Sequence, residues 1–384
     1  MIYLDNAATK PLSQDMKQFV ASILDIYGNP SSLHSVGEKA RQLVTNARRQ
    51  TAAFINADTE EIYFTCGGSA GNTLGIKGFL TANDYCTCYS PTVHKSILNL
   101  LQSTSLAGSR HPLKVDREGM LDLKDLEQSI AGTKPFVVVD YANSEIGTIQ
   151  NMRQIVDLVH FHKGIVYADC TGSIPAVPLD VKSLDLDLCA FSGHKLGSLK
   201  GCGVFYKKKD VQIEPLIYGT QEQSLFGGTE NVVGIASLGK AVQDYDYASV
   251  SSADRDHLYE YIQKNIPDSY LVGACPESGR RLPNNLYMCF KGIEGEALMM
   301  MMDMNGVQTS TGSACSSHAL SASTTLSAIG MDEADIHSCI RFSFGECLSE
   351  NKRNYVCKTL KKCVETLRSL PAQPKILEQP FQTI

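Results

Sequence analysis

From residue 60 to residue 235 the chain repeats one pattern, and that pattern restricts the fold more than any other feature. A short apolar run ends in Gly, Ser, Asp or Asn, and a helix-like stretch follows. EIYFT (61–65) precedes CGGSAGN, YCTCYS (85–90) precedes PTVHKSILNLL, and PFVVVDYA (135–142) precedes NSEIG and then NMRQIVDLVHFH. GIVYADC (164–170), LDLCAFSGHK (186–195) and GCGVFYKK (201–208) continue the series. Strands separated by helical crossovers imply an α/β fold with a large, doubly wound, mostly parallel sheet. Ligands of such sheets bind beyond the carboxyl ends of the strands. The polar residues that follow each apolar run are therefore the candidates for function.

The last third reads differently. NNLYMCF (284–290) and CIRFSFG (339–345) have strand character. EGEALMMMMDMNG (294–306) reads as a helix ended by Gly306, with its four consecutive methionines packing into a core. SENKRNYVCKTLKKCVETLRSL (349–370) reads as a helix that starts at Ser349. A chain of 384 residues is long for one core. The expected division is a large domain over 1–250 and a smaller α+β domain over 251–384, with residues 1–15 packing on the smaller one. The closing PAQPKILEQPFQTI reads as extended or frayed.

Charge and composition narrow the function classes. A formal net charge of −6 gives no electrostatic reason for nucleic-acid or anionic-membrane binding. Lys207, Lys208 and Lys209 read as a solvated turn after a strand. No apolar run approaches a membrane span, and MIYLDNAATKPL lacks the pattern of a signal peptide. Thirteen cysteines without an export signal fit free thiols in the cytoplasm. Cys86 and Cys88 have no second pair at zinc-site spacing, and His160 and His162 fall on different faces of a helix, so no metal site is expected. Cys189, Cys202, Cys289, Cys339, Cys357 and Cys363 sit among apolar residues and read as core.

Five polar features follow the predicted strands. Gly67-Gly68-Ser69-Ala70-Gly71 opens a helix, whose free backbone N–H groups favour an anion such as phosphate. His94 follows the second run, and Asn143-Ser144-Glu145 the third. Asp169 ends the fourth; an acid at a buried strand end needs a partner, and a protonated pyridine nitrogen is one. Ser192-Gly193-His194-Lys195 follows the fifth, where an amine behind a buried strand suits Schiff-base chemistry. An anion cradle, an acid and an amine at successive strand ends are the requirements of pyridoxal 5'-phosphate. Separately, TGSACSSH (311–318) surrounds Cys315 with small residues, which suits neither a core thiol nor a metal ligand.

On these residues the chain resembles the cysteine desulfurase family of class V, fold-type I pyridoxal-phosphate enzymes (NifS/IscS-like). The likeness runs through YLDNAAT (3–9), YGNPSSLHSVGEKAR (27–41), FTCGG (64–68), SEIGTIQ (144–150), FSGHK (191–195), GGTEN (227–231), TGSAC (311–315) and IRFSFGE (340–346). It implies that Lys195 binds the cofactor covalently and moves a proton, that His94 stacks on the ring, and that Asp169 pairs with the ring nitrogen. It implies that Ser69, Ser192 and His194 hold the phosphate, that Thr229 reaches the phosphate of the neighbouring subunit of a homodimer, and that Arg341 clamps the substrate carboxylate, with Ser144 beside the substrate. Cys315 then takes sulfur from L-cysteine as a persulfide, leaving alanine, for a sulfur-acceptor protein in iron–sulfur cluster assembly or tRNA thiolation.

The chain departs from the family pattern at several positions. Ala70 stands where a glutamate is usual, Ser144 where a second asparagine is usual, Gly172 where a glutamine is usual, Val93 before His94, and Phe226 in place of an arginine. These departures leave two alternatives to a desulfurase: a divergent lyase or aminotransferase-like enzyme acting on another amino acid, and a non-catalytic homodimer.

Overall fold

The computed structural model describes residues 1–103, 106, 108–312 and 323–370. A two-residue strand β1 (Ile2–Tyr3) opens the chain. Seven strands then form the large sheet: β2 (Ile62–Thr65), β3 (Cys86–Tyr89), β4 (Arg110–Pro112), β5 (Pro135–Asp140), β6 (Ile165–Asp169), β7 (Leu188–Ser192) and β8 (Gly203–Lys207). Their order is β2-β8-β7-β6-β5-β3-β4, and β8 alone runs against the rest. This is the doubly wound, mostly parallel sheet that the alternation predicts. The six runs named above correspond to β2, β3, β5, β6, β7 and β8.

The strands read as continuous apolar runs because both faces are covered. All six residues of β5 are buried. Val137, Val139, Val166 and Ala168 point to one face, where they meet Val44 and Ala47 of the helix Ser35–Phe54, Ile155 and Val159 of the helix Met152–Phe161, and Ile235 of the helix Val232–Gln243. Phe136, Val138 and Tyr167 point to the other, against Leu74 and Phe79 of the helix Gly68–Ala82 and Ile97 of the helix Lys95–Gln102. The period-two alternation of side chains thus assigns each strand residue to a layer.

Beyond residue 265 the chain forms a three-stranded antiparallel sheet from β9 (Ser269–Leu271), β10 (Asn285–Phe290) and β12 (Cys339–Ser343), in the order β12-β10-β9. β11 (Val307–Gln308) pairs in parallel with β1. Ile2 and Leu4 share a core with Leu286, Phe342 and Leu360, so the first residues of the chain pack among its last elements. The helix Gly295–Met304 ends before Gly306, whose φ of 74° suits a glycine. Met302 is buried, whereas Met300 is 60% exposed, so the methionine run is only partly core. Ser349 occupies the position before the helix Glu350–Ser369, yet its side chain makes no capping hydrogen bond. The twelve cysteines among the described residues are all free, and the six expected in the core are buried. No helix among the described residues is long and apolar enough to cross a membrane.

Candidate active site

The carboxyl ends of β5, β6 and β7 open into one cleft with a cavity volume of about 290 Å³. Ser69, His94, Ser144, Asp169, Ser192, His194, Lys195 and Arg341 all line it. Thr229 is not among the lining residues. Cys315 lies outside the described residues, between Gly312, which does line the cleft, and Ser323, which also lines it.

The expected anion cradle lies at the start of the helix Gly68–Ala82. Gly67, before its first turn, has φ 151° and provides no side-chain cap, which leaves the first-turn N–H groups for other acceptors. Gly68 N donates to Ser192 Oγ at 2.7 Å. A Cβ on Gly68 would lie 2.8 Å from both Ser192 Oγ and Thr171 Oγ1, so the glycine is what brings a helix terminus and two hydroxyls together. His194 Nδ1 lies 3.1 Å from Thr9 Oγ1. Burial, with Lys195 and Lys200 nearby, pushes the His194 imidazole down to about 4, so it is a neutral hydrogen-bonding group at neutral pH. A helix N-terminus, two serines and a neutral histidine form an anion cradle.

Asp169 ends β6 and is 5% exposed. Its two oxygens accept from Asn72 Nδ2 and Thr171 N, each at 2.9 Å. Asn72 Oδ1 in turn accepts from Tyr167 Oη at 2.7 Å, and Asn72 Nδ2 reaches Ser96 Oγ at 3.1 Å. Ser96 lies 2.8 Å from His94 Nδ1 through its hydroxyl, and its backbone N–H donates to the same nitrogen at 3.1 Å. Nδ1 is therefore the acceptor, and the neutral His94 ring carries its proton on Nε2. One asparagine on a helix thus ties the strand-end acid to the histidine across the cleft.

Lys195 Nζ donates to Ala8 O at 2.9 Å and to Ala7 O. Arg341, on β12, is held by Asp5 Oδ1 at 2.9 Å and Ser144 O at 3.2 Å. Its Nε is buried without a hydrogen-bond partner among the described residues. Residues 5–9 therefore touch the lysine, the arginine and, through Thr9, the phosphate-side histidine. The sequence signalled this segment only as part of a family motif, YLDNAAT, and gave its members no role.

Two further acids have no role assigned from the sequence, where Glu145 stands only as a member of the third polar feature and Asp140 inside an apolar run. Glu145 accepts from Tyr287 Oη at 3.0 Å and Ser323 Oγ at 2.9 Å, and burial pushes its carboxyl up. A Cβ on Gly312 would lie 1.9 Å from Glu145 Oε1 and 2.3 Å from Tyr287 Oη. The small residue at 312 thus has a packing cause. Asp140, the last residue of β5, also lines the cleft. At position 172, a Cβ would meet Ala142 O at 2.4 Å and Ser144 N at 3.1 Å. The turn after β5 closes over this position, so Gly172 is a consequence of backbone approach as well as a lost side chain.

The residues fit pyridoxal phosphate: an anion cradle built around a Cβ-free position, a satisfied acid at a strand end, an amine and an imidazole face one cavity. Comparison with known proteins agrees. Residues 2–352 match the family described as aminotransferase class-V. The chain is 35% identical over 381 residues, 96% of each chain, to the cysteine desulfurase IscS of Dictyoglomus turgidum. It superposes on the X-ray structure of a NifS-like protein from Rickettsia africae with TM-score 0.85 and 27% identity, covering 95% of this chain and 99% of that one. A structure described as SspA in complex with cysteine gives TM-score 0.80 at 26% identity, covering 91% and 100%.

Proposed function

The chain belongs to the class-V aminotransferase family, and we propose that it is a pyridoxal-phosphate-dependent cysteine desulfurase in which the cleft residues described above do the chemistry. The observation that carries this reading is the convergence of Lys195, Asp169, His94, the Gly68–Ser192 cradle and Arg341 on one cavity. Its relatives point the same way: the Dictyoglomus protein is a cysteine desulfurase and SspA was solved with cysteine.

When bound, pyridoxal phosphate supplies an electron-withdrawing ring conjugated to the amino acid's α-carbon. The helix start, Ser69, Ser192 and neutral His194 would hold its phosphate, and the Asp169 carboxylate, fixed by Asn72 and Thr171, would hold a proton on the ring nitrogen. Lys195, whose amine donates to the carbonyls of Ala7 and Ala8, would hold the cofactor covalently and would supply the amine that moves protons at the substrate α-carbon. The His94 ring, oriented through Ser96 with its proton on Nε2, would pack against the cofactor. Arg341 presents a fork to the substrate carboxylate, with the unpartnered Nε as a spare donor.

Cys315 accepts the sulfur: L-cysteine and the Cys315 thiol become L-alanine and a Cys315 persulfide, with all atoms accounted for. That role rests on the TGSAC motif. The persulfide passes to an acceptor protein, and the enzyme works in the cytoplasm as a homodimer in which Thr229 serves the partner subunit's phosphate. The same reading takes residues 1–250 as the cofactor domain and 251–384 as the domain bearing Cys315 and Arg341.

The test is alanine production from L-cysteine by purified protein and by Cys315→Ala. Loss of multiple-turnover alanine release in the variant, with the visible absorbance of bound cofactor retained, is the expected result. Equal rates would sink the persulfide route, and absence of cofactor absorbance in the parent protein would sink the whole reading.

A further inference from the structure

Two carboxyl groups stand side by side under the cleft. Asp140 and Asp169 each end a strand, and the parallel register of β5 and β6 places them directly opposite one another. Opposed residues on neighbouring strands are about 4.8 Å apart at the backbone and point to the same face. Both are 5% exposed and both line the cleft. Their hydrogen bonding differs. Each Asp169 oxygen accepts a donor at 2.9 Å. Asp140 Oδ1 accepts from Thr92 Oγ1 at 3.1 Å, whereas Oδ2 is buried without a partner among the described residues.

Like charges on neighbouring strand ends cannot both be buried without cost, and a proton settles on the oxygen that has no donor. We propose that Asp140 is a positioning acid for Asp169: a proton rests on Asp140 Oδ2, on the strand end beside Asp169, and its loss places a further negative charge behind the carboxylate that would face the cofactor's ring nitrogen. Burial pushes Asp140 up to about 6 against the hydrogen bonds of its own backbone, Asn143 and Thr92, and the Asp169 charge adds a smaller push upward. The groups around it are Asp169 from β6, Thr92 and Ser90 from the turn after β3, and Asn143 from its own turn, while His94, Lys95 and Lys195 line the same cleft. Above that range Asp140 releases its proton to solvent. A second negative charge then lies beneath the ring and holds a ring-nitrogen proton more tightly.

This inference rests on the cofactor reading above, and its test separates the two. Pyridoxal phosphate affinity and the visible spectrum of the loaded protein are measured at pH 5 and pH 8 for the parent protein, Asp140→Asn and Asp140→Glu. Asn mimics the protonated acid, so parent and Asp140→Asn should agree within twofold in affinity at pH 5. At pH 8 the variant should bind at least threefold more weakly and show a shifted spectrum, and Asp140→Glu should recover part of the difference. A difference of equal size at both pH values, or at neither, overturns the proposal and leaves Asp140 as a structural acid. Should Asp140→Asn not fold, Asp140→Ser carries the same comparison. A parent protein that binds no pyridoxal phosphate overturns the cofactor reading and this inference together, an outcome distinct from the others.

Discussion

The two ends of the large sheet handle buried charge in opposite ways. At the amino end of β6 and β7, Asp187 accepts from Val166 N at 2.8 Å and sits 2.8 Å from His160 Nε2, while Asp185 pairs with Lys208 at 2.6 Å and His160 Nδ1 at 3.2 Å. Both of these acids have a cation. At the carboxyl end, Asp140, Glu145 and Asp169 are buried on hydroxyls, an amide and backbone N–H groups, with no salt-bridge partner within 4 Å among the described residues. The first arrangement is internally complete and serves stability. The second is electrostatically incomplete, and an incomplete site is one that a cationic or proton-bearing ligand can finish.

The sharpest test exchanges one acid at each end for its amide. Asp169→Asn should lower alanine production from cysteine by about 10³-fold or more, since it removes the anion opposite the ring nitrogen. Its unfolding free energy should fall less than that of Asp187→Asn, because losing a buried charge that has no cation offsets the weakened hydrogen bonds from Asn72 and Thr171. Asp187→Asn should do the reverse, costing about 1.5–3 kcal/mol for its lost charge-assisted hydrogen bonds with kcat unchanged. Urea unfolding and steady-state assays on both variants check the pair. An Asp169→Asn protein that is active but unstable would erase the distinction between the two ends.

The sequence made the sheet legible and the site only partly so. Apolar runs such as PFVVVDYA announce a strand covered on both faces, because six consecutive positions must each find a layer. β4 is Arg110–Pro112, an edge strand of polar residues with no apolar signal, and β1 and β11 are two-residue pairings that only a folded chain brings together. Lys195, Asp169 and His94 were legible because each follows an apolar run. Asp140 was hidden inside such a run; its meaning depends on the register that sets it against Asp169, and register is not local information. Asn72 and Asp5 were hidden for the same reason, since their partners are 97 and 336 residues away. The expected role of Cys315 concerns residues outside those described.

A smaller effect sharpens the picture of the carboxyl end. Asp5 is the one acid in the site that has a cation, the Arg341 guanidinium, and that cation is the expected carboxylate clamp. Asp5 therefore positions the fork while occupying part of it. Asp5→Asn removes a charge-assisted hydrogen bond worth about 1.5–3 kcal/mol, part of which the Ser144 carbonyl and the β12 backbone retain. KM for cysteine should rise about fivefold to tenfold, with kcat within about threefold. A fall in kcat at constant KM would instead place Asp5 in the chemical step, and no change in either would show that the strand alone fixes Arg341.

The smallest expected effect lies at the amino end and depends on pH. The hydrogen bond that His160 donates to Asp187 raises the imidazole above its usual value, with the charges of Asp187 and Asp185 adding to it and burial opposing. The folded protein therefore binds this proton more tightly than the unfolded chain, whose histidine titrates near about 6.5. The stabilisation is fully present below that pH and is lost as pH rises through the folded value. His160→Gln should cost about 1 kcal/mol at pH 6, as a partly exposed charged pair does, and less at pH 9. Urea unfolding of parent and variant at the two pH values reads the gap directly. A gap that widens with pH would mean that the neutral ring is what the site prefers, and that the amino end is held by Lys208 and the Val166 backbone alone.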